Sequence, residues 1–220
     1  MNQSTDLILL ALLWLGYFLI HSTLASLNIK QWLASRFPRL TPWYRILFNL
    51  LATVLLIPPL IMTWMLRSEP LWMWQGVWSL LAYTLMLLAC LGFVWSLRFY
   101  DGQEFLGFSQ LARRQQQTAD QEKLHISPMH RYVRHPWYSL GLLLVWSQDM
   151  DPARLVSALS ITLYLWLGSR LEEQKLVVFH GEPYRQYQQK VPGLIPRPWR
   201  YLSEPEARKL QNRSPIKKGA

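Results

Sequence analysis

Long apolar blocks separated by short charged stretches set the plan of this chain. Residues 7–27, 46–66 and 71–97 hold no Asp, Glu, Lys or Arg and run for 21 residues or more. A hydrocarbon core about 30 Å thick needs about 20 helical residues at about 1.5 Å each, so each block predicts a membrane-spanning helix. Pro58 and Pro59 predict a kink in the second. Two later blocks, 136–147 and 155–168, hold only 12 and 14 residues. At about 18–21 Å they fall short of a full span, and the polar link QDMDPA between them predicts a short helical hairpin. Such short segments beside polar chemistry mark a cavity rather than a lipid-facing wall.

The remaining stretches read differently. SLRFYDGQEFLGFSQLARRQQQ (96–117) predicts an amphipathic helix in the membrane interface. GEPYRQY reads as a break followed by a short cytoplasmic helix, and VPGLIPRP as an extended segment able to fold back over the hairpin as a lid. From Ser203 on, the chain is polar and predicts a flexible tail. The expected fold is therefore all-α and integral to the membrane, with about five transmembrane helices. One domain would span residues 1–202, with a three-helix part at 1–97 and a second part with the hairpin at 98–202, followed by the tail at 203–220.

Charge orients this arrangement. The net charge is +10, but the basic residues gather beside apolar blocks, which argues for lipid contact and against nucleic acid. Residues 28–45 carry Lys30, Arg36, Arg39 and Arg45 without an acid, residues 98–135 carry six basic residues, and residues 170–220 carry eleven. The opposite side holds only Arg67 and Arg154. The positive-inside rule then puts the N-terminus outside and the C-terminus in the cytoplasm. Block 7–27 is too long for a signal-peptide core and follows Asp6 rather than a basic region. Most of the 12 tryptophans near block ends read as an interfacial belt. The single cysteine, Cys90, excludes an internal disulfide and a multi-cysteine metal site, and no metal is expected.

Candidate chemistry gathers on the cytoplasmic side. RYVRHPWYSLG (131–141) places Arg134, His135, Pro136, Trp137 and Tyr138 at the mouth of the first short block. Pro136 suits a first helical turn and Arg134 suits an interface anchor. His125 and His130 stand just upstream, a density that anchoring alone leaves unexplained. A helix start offers free N–H groups and partial positive charge to an anion or to hydroxyls. Arg170, Glu172 and Glu173 follow the second short block, where carboxylates could bind an ammonium or ribose hydroxyls. His21 and Ser22, near the end of the first block, fit a packing role better than a catalytic one. The chain has no GxGxxG, Walker loop, HExxH or CxxC.

RHPWYSLG followed by LEEQKLVVFHGEPYRQYQQKVPGLIP resembles the integral-membrane methyltransferases related to isoprenylcysteine carboxyl methyltransferase and phospholipid methyltransferase. The matching motifs cover residues 122–198. HSTLAS (21–26) and YDGQEFLGFSQL (100–111) are similar to the bacterial branch that contains methanethiol S-methyltransferase and NnrU-like proteins. The resemblance implies S-adenosylmethionine as cofactor and a small or lipid-soluble acceptor at the bilayer, a thiol among the candidates. It places His135, Pro136, Trp137 and Tyr138 in a cofactor-binding HPxY motif, and Glu172 at a cofactor-contacting carboxylate. Leu124, His125 and His130 fall in the preceding cofactor-contacting stretch, although His130 stands where the isoprenylcysteine enzymes carry Tyr. Arg170 and Glu173 are the catalytic candidates, with Arg170 near but out of register with a substrate-contacting Arg. Two other readings stay open: a non-enzymatic NnrU-like membrane factor, and a membrane reductase of related architecture.

Overall fold

The structure, a computed structural model, describes residues 2–112 and 124–214. Regular structure among them is helical. The helices are α1 (Gln3–Ala25), α2 (Leu27–Arg36), α3 (Tyr44–Met65), α4 (Val77–Ser96), α5 (Gly102–Leu106), α6 (Phe108–Ala112), α7 (Pro136–Trp146), α8 (Pro152–His180), α9 (Glu182–Lys190) and α10 (Glu204–Arg213). Three helical stretches are long and apolar enough to cross a membrane: Gln3–Ala25, Pro38–Met65 and Val77–Phe99. They coincide with the three long blocks. α7 is apolar but has only 11 residues.

The chain divides into two compact units. This division differs from the consecutive 1–97 and 98–202 parts that block lengths led us to expect. The first unit comprises Met1–Leu80, Tyr100–Thr118 and Gln148–Ile161. Its core packs Leu10 and Trp14 of α1 against Ala153 of α8, with Leu56, Met62 and Leu66 around them. Trp14 is 2% exposed, and its indole N–H donates to Ser157 Oγ at 2.9 Å. That hydroxyl also lies 2.7 Å from Thr63 Oγ1, which in turn donates to the Pro59 carbonyl. The polar atoms of this apolar core thus satisfy one another, as burial requires. Thr63 is one helical turn past Pro59, and its hydroxyl reaches back within α3.

Three local differences from the sequence expectation lie in this unit. The third apolar block does not start as a helix. Leu71 and Trp72 donate backbone N–H groups to the Met150 carbonyl at 2.6 and 3.2 Å, and Met150 N–H returns a bond to the Trp72 carbonyl. The supposedly polar link at 148–151 is therefore a partner for residues 71–74, with Asp149 accepting from the Trp74 backbone at 2.9 Å. The first block breaks at Ser26, whose side chain caps α2. The stretch 96–117 is not one amphipathic helix; its described part forms α5 and α6, and residues 113–117 lie outside the described residues. Gly107 separates the two at φ +96, and a Cβ there would stand 2.9 Å from Arg45 Cβ and 3.0 Å from the Ile46 nitrogen. Both the left-handed backbone and the close approach require glycine.

The second unit comprises Leu81–Phe99, Ala119–Ser147 and Thr162–Ala220. Its core joins Leu124 and Ile126 to Tyr184, Tyr187, Val191, Leu202, Ala207 and Leu210. Ala207 and Leu210 belong to α10, so part of the stretch expected to be a flexible tail is a packed helix. A capping box of Ser203 and Glu206 starts it, and the apolar positions 207 and 210, three apart, face the core. Residues 215–220 lie outside the described residues. α8 runs unbroken for 29 residues, from the second short block on through Glu172 and Glu173, about 43 Å by helical rise.

Candidate active site

The second unit folds the polar ends of three segments onto the start of α7. Pro136 occupies the first helical turn, where its missing N–H costs nothing. Trp137 donates its indole N–H to Ser96 Oγ at 2.9 Å, and its ring meets Phe93 edge-on at 6.3 Å. This ties the first turn of α7 to the end of α4. Gly92 makes the neighbouring helix crossing close, since a Cβ there would sit 2.9 Å from a Leu140 methyl.

The segment after α9 folds back over the same turn. Backbone N–H groups of Arg134 and His135 donate to the Pro192 and Gly193 carbonyls at 2.9 and 3.1 Å, and Ser139 Oγ donates to the Leu194 carbonyl. The extended VPGL stretch therefore seals the chain leading into α7.

Six side chains form the polar heart: Arg134, His135, Tyr138, Glu172, Glu173 and Gln188. Arg134 bonds Glu173 Oε1 through Nε at 2.8 Å and Nη2 at 2.7 Å, and its Nη1 donates to the carbonyls of Gln188 and Val191. His135 Nε2 lies 3.0 Å from the same carboxylate oxygen, and Gln188 Nε2 donates to Glu173 Oε2 at 3.0 Å. Both oxygens of Glu173 are thus engaged in a buried position. The other face of His135 meets Glu172: Nδ1 is 3.4 Å from Oε2, which also accepts from the Tyr138 hydroxyl at 3.2 Å. The His135 and Tyr138 rings stack at 5.2 Å and 13°.

The electrostatics follow from this geometry. Burial opposes charge on His135, but hydrogen bonds and attraction from Glu172 and Glu173 outweigh it and raise its pKa. Burial likewise opposes charge on Glu173, yet His135 and Arg134 hold it down to about 2. Burial also acts on Glu172, and its bonds to His135 and Tyr138 leave its pKa lowered. The cluster therefore sets two carboxylates against Arg134 and an imidazole whose protonated form they favour.

The structure brings His135, Pro136, Trp137, Tyr138, Glu172 and Glu173 together. Others do not share its hydrogen bonds. Leu124 is in the core. His130 bonds Ser127 Oγ through Nδ1 at 2.7 Å, and its carbonyl accepts from Tyr187. Burial first, then repulsion from His125 and His135, lowers its pKa to about 4, so it is neutral near pH 7. His125 is exposed. Arg170 is exposed on α8 with its guanidinium 5.8 Å over the Trp166 ring. At 100° per residue it points about 160° away from Glu172. Sequence reasoning missed Arg134 as a member, having read it as an interface anchor, and missed Gln188 altogether. The Arg signal was present in RYVRHPWYSLG; nothing local distinguishes Gln188 from its neighbours in QYQQK.

No family model matches the chain, and no solved structure matches it significantly. Curated relatives do. Methanethiol S-methyltransferase of Pseudomonas deceptionensis is 31% identical over 183 residues, 80% of this chain and 67% of the relative. The protein of the same name from Crocosphaera subtropica is 30% identical over 189 residues, 83% of this chain and 72% of the relative. Protein-S-isoprenylcysteine O-methyltransferase of Schizosaccharomyces pombe is 39% identical over 72 residues, 31% of this chain and 30% of the relative. The two methanethiol S-methyltransferase likenesses run over most of the chain, the third covers about a third of it, and three helices are long and apolar enough to cross a membrane, so the protein is a membrane methyltransferase and belongs to the integral-membrane family that holds the methanethiol S-methyltransferases and the isoprenylcysteine O-methyltransferases.

Proposed function

We propose that the protein methylates a small, lipid-soluble thiol with S-adenosylmethionine as methyl donor. The observation that carries the cofactor assignment is the state of Glu172. Its side chain is 48% exposed, its Oε2 is held by Tyr138 and His135, and among the described residues its Oε1 has no partner. A fixed carboxylate with one oxygen to spare, beside a parallel His–Tyr pair and a helix start, fits a donor that carries an ammonium, ribose hydroxyls and a carboxylate. The donor set therefore fits this cofactor.

S-adenosylmethionine supplies a methyl group on a positively charged sulfur, ready for in-line displacement. The chain's residues bind and align. Glu172 accepts hydrogen bonds from the donor's hydroxyls or ammonium, and Tyr138 and His135 hold that carboxylate in place. Glu173, with every oxygen engaged, positions His135 and Arg134 and does not touch substrate. Pro136 and Trp137 fix the start of α7, while Leu124 packs in the core of the same unit and His130 ties Ser127 to Tyr187. Alignment of the reacting atoms at about 3–3.5 Å is most of what such a transfer needs. Held there, the donor would give its methyl group to the acceptor sulfur, its own sulfur leaving with the bonding pair as a neutral thioether. The acceptor reacts as its thiolate, its proton having gone to solvent. Arg170 is left a peripheral part, its exposed charge drawing the thiolate toward the surface.

The acceptor class rests on the relatives named as methanethiol S-methyltransferases. We further infer that α7 and the apolar first half of α8 complete five crossings, with the N-terminus outside and the donor entering from the cytoplasm. The basic loops support that orientation. The deciding experiment supplies radiolabelled S-adenosylmethionine and methanethiol to the purified protein in nanodiscs. Labelled dimethyl sulfide is the expected product. Label appearing only in membrane lipid would overturn the thiol assignment, and the absence of thermal stabilisation by S-adenosylmethionine would overturn the cofactor.

A further inference from the structure

Between the segment over α7 and the start of α10 lies a turn that the catalytic reading does not use. Residues 195–201 read IPRPWRY. Ile195 is 74% exposed and Trp199 77%, the two barest large apolar side chains of the described residues. Neither belongs to a membrane-crossing helix. The turn is nonetheless held firmly. At one end the Leu194 carbonyl accepts from Ser139 of α7. At the other, Leu202 N–H donates to the Arg131 carbonyl at 2.9 Å, and Arg131 Nε donates to the Leu202 carbonyl at 2.9 Å. Tyr201 stacks on Tyr132 at 5.8 Å, Arg200 N–H donates to the Arg197 carbonyl at 2.9 Å, and the Arg200 guanidinium donates to the Gln189 carbonyl. Pro196 and Pro198 restrict the backbone between. The chain orders this turn and points its apolar residues outward.

The level of the turn is fixed by the second unit itself. α4 crosses the membrane and ends at Ser96, and Ser96 accepts from Trp137 in the first turn of α7. Ser139 of that same turn holds Leu194. The end of a spanning helix, the start of α7 and the base of the 195–201 turn are therefore bonded in series at one membrane boundary. Charge complements this position. No acid occurs in residues 183–203, while Arg185, Lys190, Arg197 and Arg200 do. Tryptophan, tyrosine and arginine side by side are the residue types that favour the interface between headgroups and acyl chains.

We propose that the 195–201 turn is a membrane wedge. Ile195 and Trp199 enter the interfacial layer of an anionic bilayer, and Arg197 and Arg200 meet lipid phosphate groups. The wedge holds the 192–194 backbone over His135 at the bilayer surface. This assignment is independent of which acceptor is methylated.

Spin labels test it directly. In a Cys90→Ala background, nitroxides are placed singly by Ile195→Cys and Trp199→Cys, with Arg208→Cys on α10 as the aqueous reference and Leu88→Cys on α4 as the lipid reference. The full protein is examined in nanodiscs of phosphatidylcholine with phosphatidylglycerol. Labels at 195 and 199 should be more accessible to oxygen than to a water-soluble nickel chelate, between the two references. Adding Arg197→Gln and Arg200→Gln should shift the 199 label toward the aqueous value. Free inorganic phosphate should leave it unmoved. Labels at 195 and 199 as open to nickel as the one at 208 would overturn the wedge. So would spin–spin broadening between labels of two chains, which would make the turn a protein contact instead.

Discussion

α4 and α7 are built from similar residues and do different work. α4 leaves Val77, Leu80, Leu88, Val94 and others bare along a length that crosses a membrane. α7, equally apolar, exposes none of its 11 residues. One is a wall whose apolar surface has lipid for solvent. The other is half-buried along its length, and its first turn meets His135 and Glu172 through Tyr138. Apolarity marks both helices, but only the polar bonds at α7's start tell them apart. The same contrast holds between polar groups: Trp14, Ser157 and Thr63 form a neutral, closed network, whereas the cluster around Glu173 is charged and leaves one carboxylate oxygen open.

The sharpest way to break this comparison is to remove a charge. Glu173→Ala strips partners from Arg134, His135 and Gln188 at once. Deleting one member of a buried ion pair costs about 3–5 kcal/mol, because the remaining charge stays unpaired. Ser157→Ala, which frees Trp14 and Thr63, should cost about 1–2 kcal/mol, the range for neutral groups. Thermal unfolding of both variants in detergent measures the difference. A milder loss in Glu173→Ala than in Ser157→Ala would mean that the charged cluster does not organise its unit.

Glu172→Ala should separate binding from stability. Its carboxylate is half exposed and already has one free oxygen, so the fold loses little. A hydrogen bond from a charged group contributes about 1.5–3 kcal/mol, so S-adenosylmethionine should bind roughly 10- to 100-fold more weakly. Calorimetric titration in nanodiscs reads it, and unchanged affinity would move the donor away from α7. Arg170→Ala should leave donor affinity unaltered, since the helix turns Arg170 away from Glu172.

These residues also mark how much the sequence disclosed. The three spanning helices were legible because lipid imposes a length and a composition that nothing local can mimic. The start of α7 was legible from Pro136 and from the motif around His135. Other features were set by distant partners. Residues 71–74 look like helix but pair with Met150, because the link at 148–151 offers unpaired carbonyl and amide groups. α10 looks like a polar tail, yet two apolar positions suffice to dock it on Tyr184 and Leu202. Gln188 joins the site only because α9 folds back on α8, and a single glutamine carries no periodic signal.

Gly107→Ala should disturb the other unit and leave the site alone. A left-handed backbone and a 2.9 Å approach to Arg45 together cost about 1–3 kcal/mol. The melting temperature should fall while affinity for the methyl donor per folded molecule stays constant. A fall in affinity as well would show that the two units are energetically coupled.

The smallest effect is a pH dependence that belongs to the charged cluster alone. His135 has a raised pKa in the folded protein, because Glu172 and Glu173 outweigh its burial. Its stabilisation is therefore complete below its ordinary value of 6.5 and is lost as pH rises through the higher folded value. Glu173 behaves oppositely: its contribution is present above 4.5 and is lost as pH falls toward about 2. The cluster should thus contribute most between pH 4.5 and 6.5 and weaken on the alkaline side. Melting temperatures from pH 5 to 9 should decline gently in the wild type, and His135→Asn should flatten that decline while Ser157→Ala keeps it. An unchanged slope in His135→Asn would mean that the imidazole is neutral between its two carboxylates, and that Arg134 alone balances Glu173.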